Sequence, residues 1–191
     1  MEIRERADAA RNRRRVLETA ERLFVEQGAE KLSMDTIAAA AGVGKGTLFR
    51  RFGDRTGLVR AIVERRDGLL RRAVLEGPPP LGPGAPPAER LVAFMDVAVD
   101  HVCRNRPWLL AYEECSGAAR YDSDPNRFWQ DYVAGLVAEA RPDLDAQFLA
   151  HALLAPLTCQ LVQHMLEDLG MPPERIREGA VKLARTVLAS P

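Results

Sequence analysis

The stretch SMDTIAAAAGVGKGTLFRRF, residues 33–52, concentrates the residues best suited to chemistry on a polyanion. Lys45, Thr47, Arg50 and Arg51 fall within one short segment that follows a run of small residues and two glycines. An arginine fork can bond a guanine edge with two hydrogen bonds, while a lysine or threonine suits phosphate oxygens. A second set consists of Trp108, Tyr112, Phe128, Trp129, Tyr132, Gln160 and His164, aromatic rings with a few polar groups. Such residues can line an apolar pocket with polar anchors, and the same helical spacing equally describes a core stripe. Glu113 and Glu114 beside Trp108 and Tyr112 could select a cation or could be solvated surface charges.

Catalysis and metal binding find little support. His101 with Cys103, and Cys159 with His164, have spacings that do not align two ligands on one helical face. The chain has no Gly-rich phosphate loop, nucleophile elbow or H-E-x-x-H. The sequence therefore reads as a non-enzyme, with no cofactor and no metal.

These residues need helices to position them. Val16, Leu17, Ala20, Leu23 and Phe24 recur at helical spacing up to Gly28. Ser33 can cap a short helix whose inner face is Met34, Ile37, Ala38 and Ala41, with Gly42 as its stop. The small residues Ala38 to Ala41 allow a close crossing with a third helix, Lys45 to Phe52. Val43, Leu48 and Phe52 would then face the core, and Phe49 could face either way. Asp54 can open a fourth helix reaching about Glu76. This pair of short helices on a tight turn is a helix-turn-helix, whose second member enters the major groove.

Beyond it, GPPPLGPGAPP (77–87) predicts a flexible, partly polyproline loop. A fifth helix is expected over Leu91–Val102, a sixth from Pro107 to about Ala119, and a seventh opened by Asp124–Pro125. An eighth spans about 144–169 and contains Pro156, which should kink it, and a ninth spans about 174–189. The expected class is all-α in two domains, 1–54 and 55–191. Leu149, Leu153, Leu157, Leu161 and Met165 leave the eighth helix with more apolar surface than one side can cover. It and the ninth are the expected homodimer contact.

The 191 residues balance 27 Lys+Arg against 27 Asp+Glu, yet residues 1–60 hold 13 against 9 and residues 61–191 hold 14 against 18. The basic bias lies with the helix-turn-helix. Three scattered cysteines argue for a reducing compartment, and no leader-like or membrane-spanning apolar run is visible, so a cytoplasmic location is expected.

The ordered run from LFVEQG through LSMDTIAAAAGVGKGTLFRRFGDRTGLV resembles the DNA-binding domain of the tetracycline-repressor (TetR) family, strongly over about residues 11–60. The resemblance implies a nine-helix homodimer with an N-terminal reader and a C-terminal effector domain, released from a DNA operator by a small molecule. By position, Ser33 and Thr47 would bond phosphates, and Lys45 and Gly46 would open the recognition helix. Phe49, Arg50 and Arg51 would face DNA, and Arg55 would clamp a phosphate. The family's frequent capping Ser or Thr is Gly44 here, and its frequent Tyr is Phe49.

Overall fold

The computed structural model describes residues 2–28 and 33–189, and all regular structure among them is helical. The chain divides into two compact units, Met1–Glu64 and Arg65–Pro191.

In the first unit α1 (Glu2–Gln27) packs on α2 (Met34–Ala41), which packs on α3 (Lys45–Phe52). The inward residues are those the spacing predicts: Val16, Leu17, Ala20, Ile37, Ala41 and Leu48 are buried. α4 (Arg55–Glu76) begins here, with Leu58, Val59 and Ile62 fully buried.

In the second unit α5 (Pro87–Ser116) is central and packs against α9 (Pro173–Leu188), α6 (Asp124–Ala140) and α8 (Cys159–Glu167). α7 (Ala146–Leu154) lies on α6. Two boundaries differ from the sequence expectation. The fifth and sixth helices are one, because α5 continues through Pro107. Proline costs a helix one hydrogen bond, but Pro107 is exposed, and the buried stripe of Leu91, Met95, Ala98 and Val102 runs on through Trp108, Ala111 and Tyr112. Packing along that stripe holds the register. The expected eighth helix is instead divided. Pro156 sits in a 3-10 turn (Ala155–Leu157), and Thr158 is extended at ψ 138° before α8 starts. The break goes beyond a kink because the α-helical bonding gives way to a 3-10 bond from the Thr158 N–H to the Ala155 carbonyl at 3.2 Å and then to an extended residue.

Glu113 of α5 reaches across this break. Its carboxylate accepts from the backbone N–H of Cys159 at 2.9 Å and of Gln160 at 3.2 Å, capping α8, whose own Thr158 makes no side-chain cap. A carboxylate on the positive end of a helix is favourable both as acceptor and as charge. Glu113→Ala is expected to cost about 1–2 kcal/mol of stability and to increase amide exchange selectively at the start of α8. Glu114→Ala should be near neutral in the same measurement.

The proline-rich loop is tied to the core through Leu81. Leu81 packs on the core, and its carbonyl accepts from the Tyr132 hydroxyl at 3.4 Å. At the far end Arg141, which follows α6, donates to the carbonyls of Val187 and Ala189 while pairing with Asp143, closing the open end of α9.

Candidate nucleic-acid interface and interior polar cluster

The α2–α3 unit is built from local capping. Ser33 Oγ accepts from the Thr36 N–H at 3.1 Å and contacts the Thr36 hydroxyl at 2.7 Å. At the other end Gly42 adopts φ 62°, ψ 39°, the left-handed region that glycine enters at low cost. Its N–H bonds to Ala39 O, and that of Val43 to Ala38 O. The nested pair is a Schellman motif, and it turns the chain within two residues. α3 then starts at Gly44 with no side-chain cap.

Leu48 and Phe52 of α3 are buried, whereas Lys45, Gly46, Thr47, Phe49, Arg50 and Arg51 are exposed. Phe49 is thus an outward residue, with the Lys45 ammonium 5.9 Å from its ring centre. The cations are in different states. Lys45 pairs with Asp35 of α2 at 2.8 Å, both side chains being well exposed. Arg51 donates to the carbonyl of Ala9 in α1 at 2.6 Å. Arg50 has no ion pair or hydrogen bond among the described residues. Asp54 caps α4 through the Gly57 N–H at 2.8 Å, which places Arg55 in its first turn. Gly57 lies so close to the Phe52 carbonyl that a Cβ there would overlap the oxygen.

The seven candidate pocket residues do not converge on one cavity. Phe128, Trp129 and Tyr132 of α6 gather around Phe94, with Phe94–Trp129 and Phe94–Tyr132 centroids both 5.3 Å apart. Arg71 caps the Phe128 ring at 4.2 Å, and Arg90 lies 5.7 Å from that of Tyr132. Burial raises the Tyr132 phenol, against the lowering by Arg90. Trp108 and Tyr112 are buried further along α5 at 2 % and 7 % exposure. Gln160 and His164 are exposed on α8, where His164 pairs with Asp168. A separate open groove of about 680 Å³, between Val92 and Asp96 of α5 and Val181 and Arg185 of α9, is lined by none of the seven.

The interior holds a polar group that periodicity does not reveal. Asp67, at 4 % exposure, contacts His101 Nε2 at 2.7 Å and accepts from the Trp129 indole N–H at 3.4 Å. Asn105 donates to the His101 carbonyl at 2.9 Å and its amide nitrogen lies 3.3 Å from Nδ1. Arg66 donates to Asn105 Oδ1 at 3.0 Å and lies over the Trp108 ring. With Nδ1 facing a donor, the proton belongs on Nε2, pointing at Asp67. In the sequence Asp67 and His101 stand among other polar residues one turn away, Glu64 and Arg71 for the first, Arg104 and Asn105 for the second, so no signal singled them out. Two of the thiols are made poor nucleophiles: burial, then Glu113, pushes Cys159 up to about 12, and burial, then Asp100, raises Cys103. No helix among the described residues is long and apolar enough to cross a membrane.

A helix-turn-helix of this geometry defines a DNA-reading domain. Residues 16–62 match the family described as bacterial regulatory proteins, tetR family. HTH-type transcriptional regulators of Staphylococcus aureus strains USA300 and NCTC 8325 are 45% identical over 60 residues, 31% of this chain and 32% of each relative. The match therefore spans about a third of these curated relatives' length. Solved structures extend the likeness in fold. A TetR-like transcriptional regulator from Rhodococcus sp. RHA1 superposes with a TM-score of 0.62 at 21% identity, covering 94% of this chain and 97% of its own. Thermus thermophilus FadR, a TetR-family repressor in complex with lauroyl-CoA, gives 0.67 at 18% identity over 94% and 96%. The multidrug binding protein EbrR, complexed with imidazole, gives 0.61 at 24% over 94% and 96%. The family match is confined to residues 16–62, and the chain is similar in fold to these solved structures over most of its length.

Proposed function

We propose that this chain is a homodimeric, sequence-specific DNA-binding repressor released from a palindromic operator by a small-molecule effector. The observation that carries the reading is α3 itself, a short helix anchored by Leu48 and Phe52 that presents Lys45, Thr47, Phe49 and Arg50 outward. Arg50, with no ion pair or hydrogen bond among the described residues, is the assigned base reader. Lys45 exchanges Asp35 for phosphate, with Ser33, Gly44, Gly46, Thr47 and Arg55 supplying further backbone contacts. Dimer contact through α8 and α9 is supported by Leu161 and Leu183, which remain 41% and 39% exposed on the helices' outer sides. Effector binding is assigned to the interior of the second unit. There the Trp129 indole bonds to Asp67, and Trp108 and Tyr112 lie buried further along α5. Gln160 and His164, exposed on α8, are left out of that site. FadR holds lauroyl-CoA and EbrR holds imidazole, two chemically unrelated ligands, so the shared fold names no effector class.

Selection of randomised duplexes by the purified protein tests the reading. A near-palindrome should be enriched, as two symmetry-related reading helices require. Arg50→Ala should lose roughly 1–3 kcal/mol of discrimination at one base pair per half-site. Recovery of no preferred sequence, or an unchanged preference in Arg50→Ala, would overturn it.

A further inference from the structure

The bond from Arg51 to Ala9 joins the end of α3 to α1, and it is not alone. Arg13 of α1 places its guanidinium 5.3 Å from the ring centre of Phe52, the last residue of α3. Two consecutive residues of α3 are thus held by one turn of α1. That turn leads into RNRRR, residues 11–15, four arginines with no acidic residue among them. Arg13 is used against Phe52, whereas Arg11, Arg14 and Arg15 are exposed. Arg14 pairs with Glu18, one turn on, at 3.3 Å, with its side chain 78% exposed. Arg15 bonds to the neutral Asn12 at 3.0 Å. Exposed contacts of these kinds exchange readily for a phosphate.

The length of α3 bears on where phosphates would lie. α3 has eight residues and is about 12 Å long, which is about the width of the major groove. A helix of that length in the groove leaves the phosphates of the groove walls beyond its ends. At its C-terminal end the structure supplies α1.

We propose that the arginine run of α1, latched to α3 by Arg51, is a second DNA-contacting surface that grips phosphates flanking the half-site. This rests on the DNA-binding reading above. It makes Arg51 a positioning residue rather than a reader of bases. Binding of the selected duplex, and of a random-sequence duplex of equal length, would be measured against salt for the full chain.

Neutralising Arg14 and Arg15 together to Gln should flatten the slope of log K against log salt by about two, for both duplexes and with base preference kept. Arg51→Gln should give a similar flattening, again with preference unaltered. Adding Arg51→Gln to the Arg14/Arg15 variant should do little more, since the latch then holds nothing that binds. Arg51→Lys, still a donor to the Ala9 carbonyl, should restore much of the slope. Because Arg14 and Arg15 are exposed, their variant stays folded and keeps the test decisive. An unchanged slope in that variant, with Arg50→Ala still losing preference, would overturn this inference while leaving the DNA-binding reading intact. A changed base preference in Arg51→Gln, or strictly additive losses, would make Arg51 a direct contact and also overturn it. Failure of any duplex to bind would remove both.

Discussion

Asp67→Ala should lower the stability of the second unit by roughly 2–4 kcal/mol, the largest effect expected from any single polar substitution in this chain. Both carboxylate oxygens are occupied, one by the His101 ring and one by the Trp129 indole, in a site with 4 % exposure. Truncation leaves two donors facing a void, and each buried donor without an acceptor costs about 1–3 kcal/mol. Asp67→Asn separates charge from hydrogen bonding. Its amide can accept from one donor but turns its own N–H groups toward the other, so about half the loss is expected. Thermal unfolding followed by circular dichroism reads the stability. Trp129 emission reads the site, because the indole loses its acceptor only in variants at Asp67. Equal stability of Asp67→Ala and the parent would mean that Asp67 is not the acceptor joining α4, α5 and α6.

Gly57→Ala should be a damaging one-carbon addition to the first unit, costing about 2–3 kcal/mol and most of the DNA affinity. The added Cβ would overlap the Phe52 carbonyl oxygen, a backbone atom that cannot turn aside as a side chain does. Relief requires α3 to move away from the start of α4, which displaces Phe52 from its buried place and the outer face of α3 with it. Gly68→Ala in the same helix provides the control. Nothing lies within 4 Å of a Cβ there, and alanine is the better helix former, so a gain of about 0.5–1 kcal/mol is expected. Opposite signs for two Gly→Ala changes in one helix, read by melting and by duplex binding, would verify the close approach. A neutral Gly57→Ala would contradict it.

Much of the first unit could be read from residue order, because its determinants act within a turn or two. Ser33 caps three residues ahead, Gly42 closes on Ala38 and Ala39, and Asp54 caps Gly57. The apolar spacing of Val16 to Phe24, Ile37 to Ala41 and Leu48 to Phe52 then orients the exposed cations. All-helical composition follows from the same short-range terms. In the second unit the competing terms are non-local. Pro107 signals a helix start, yet continuous burial along α5 outweighs it. Pro156 signals a bend, but the cap supplied by Glu113, 46 residues away, provides for a complete break. Spacing put Gln160 and His164 with the aromatic residues, and packing turned them to solvent while enclosing Asp67 and His101 instead. Arg50 and Arg51 are neighbours of one type, and only the approach of α1 gives Arg51 a carbonyl and leaves Arg50 without one. Periodicity specifies which face of a helix is apolar. What each face meets depends on contacts between segments far apart in the chain, and those are decided by packing.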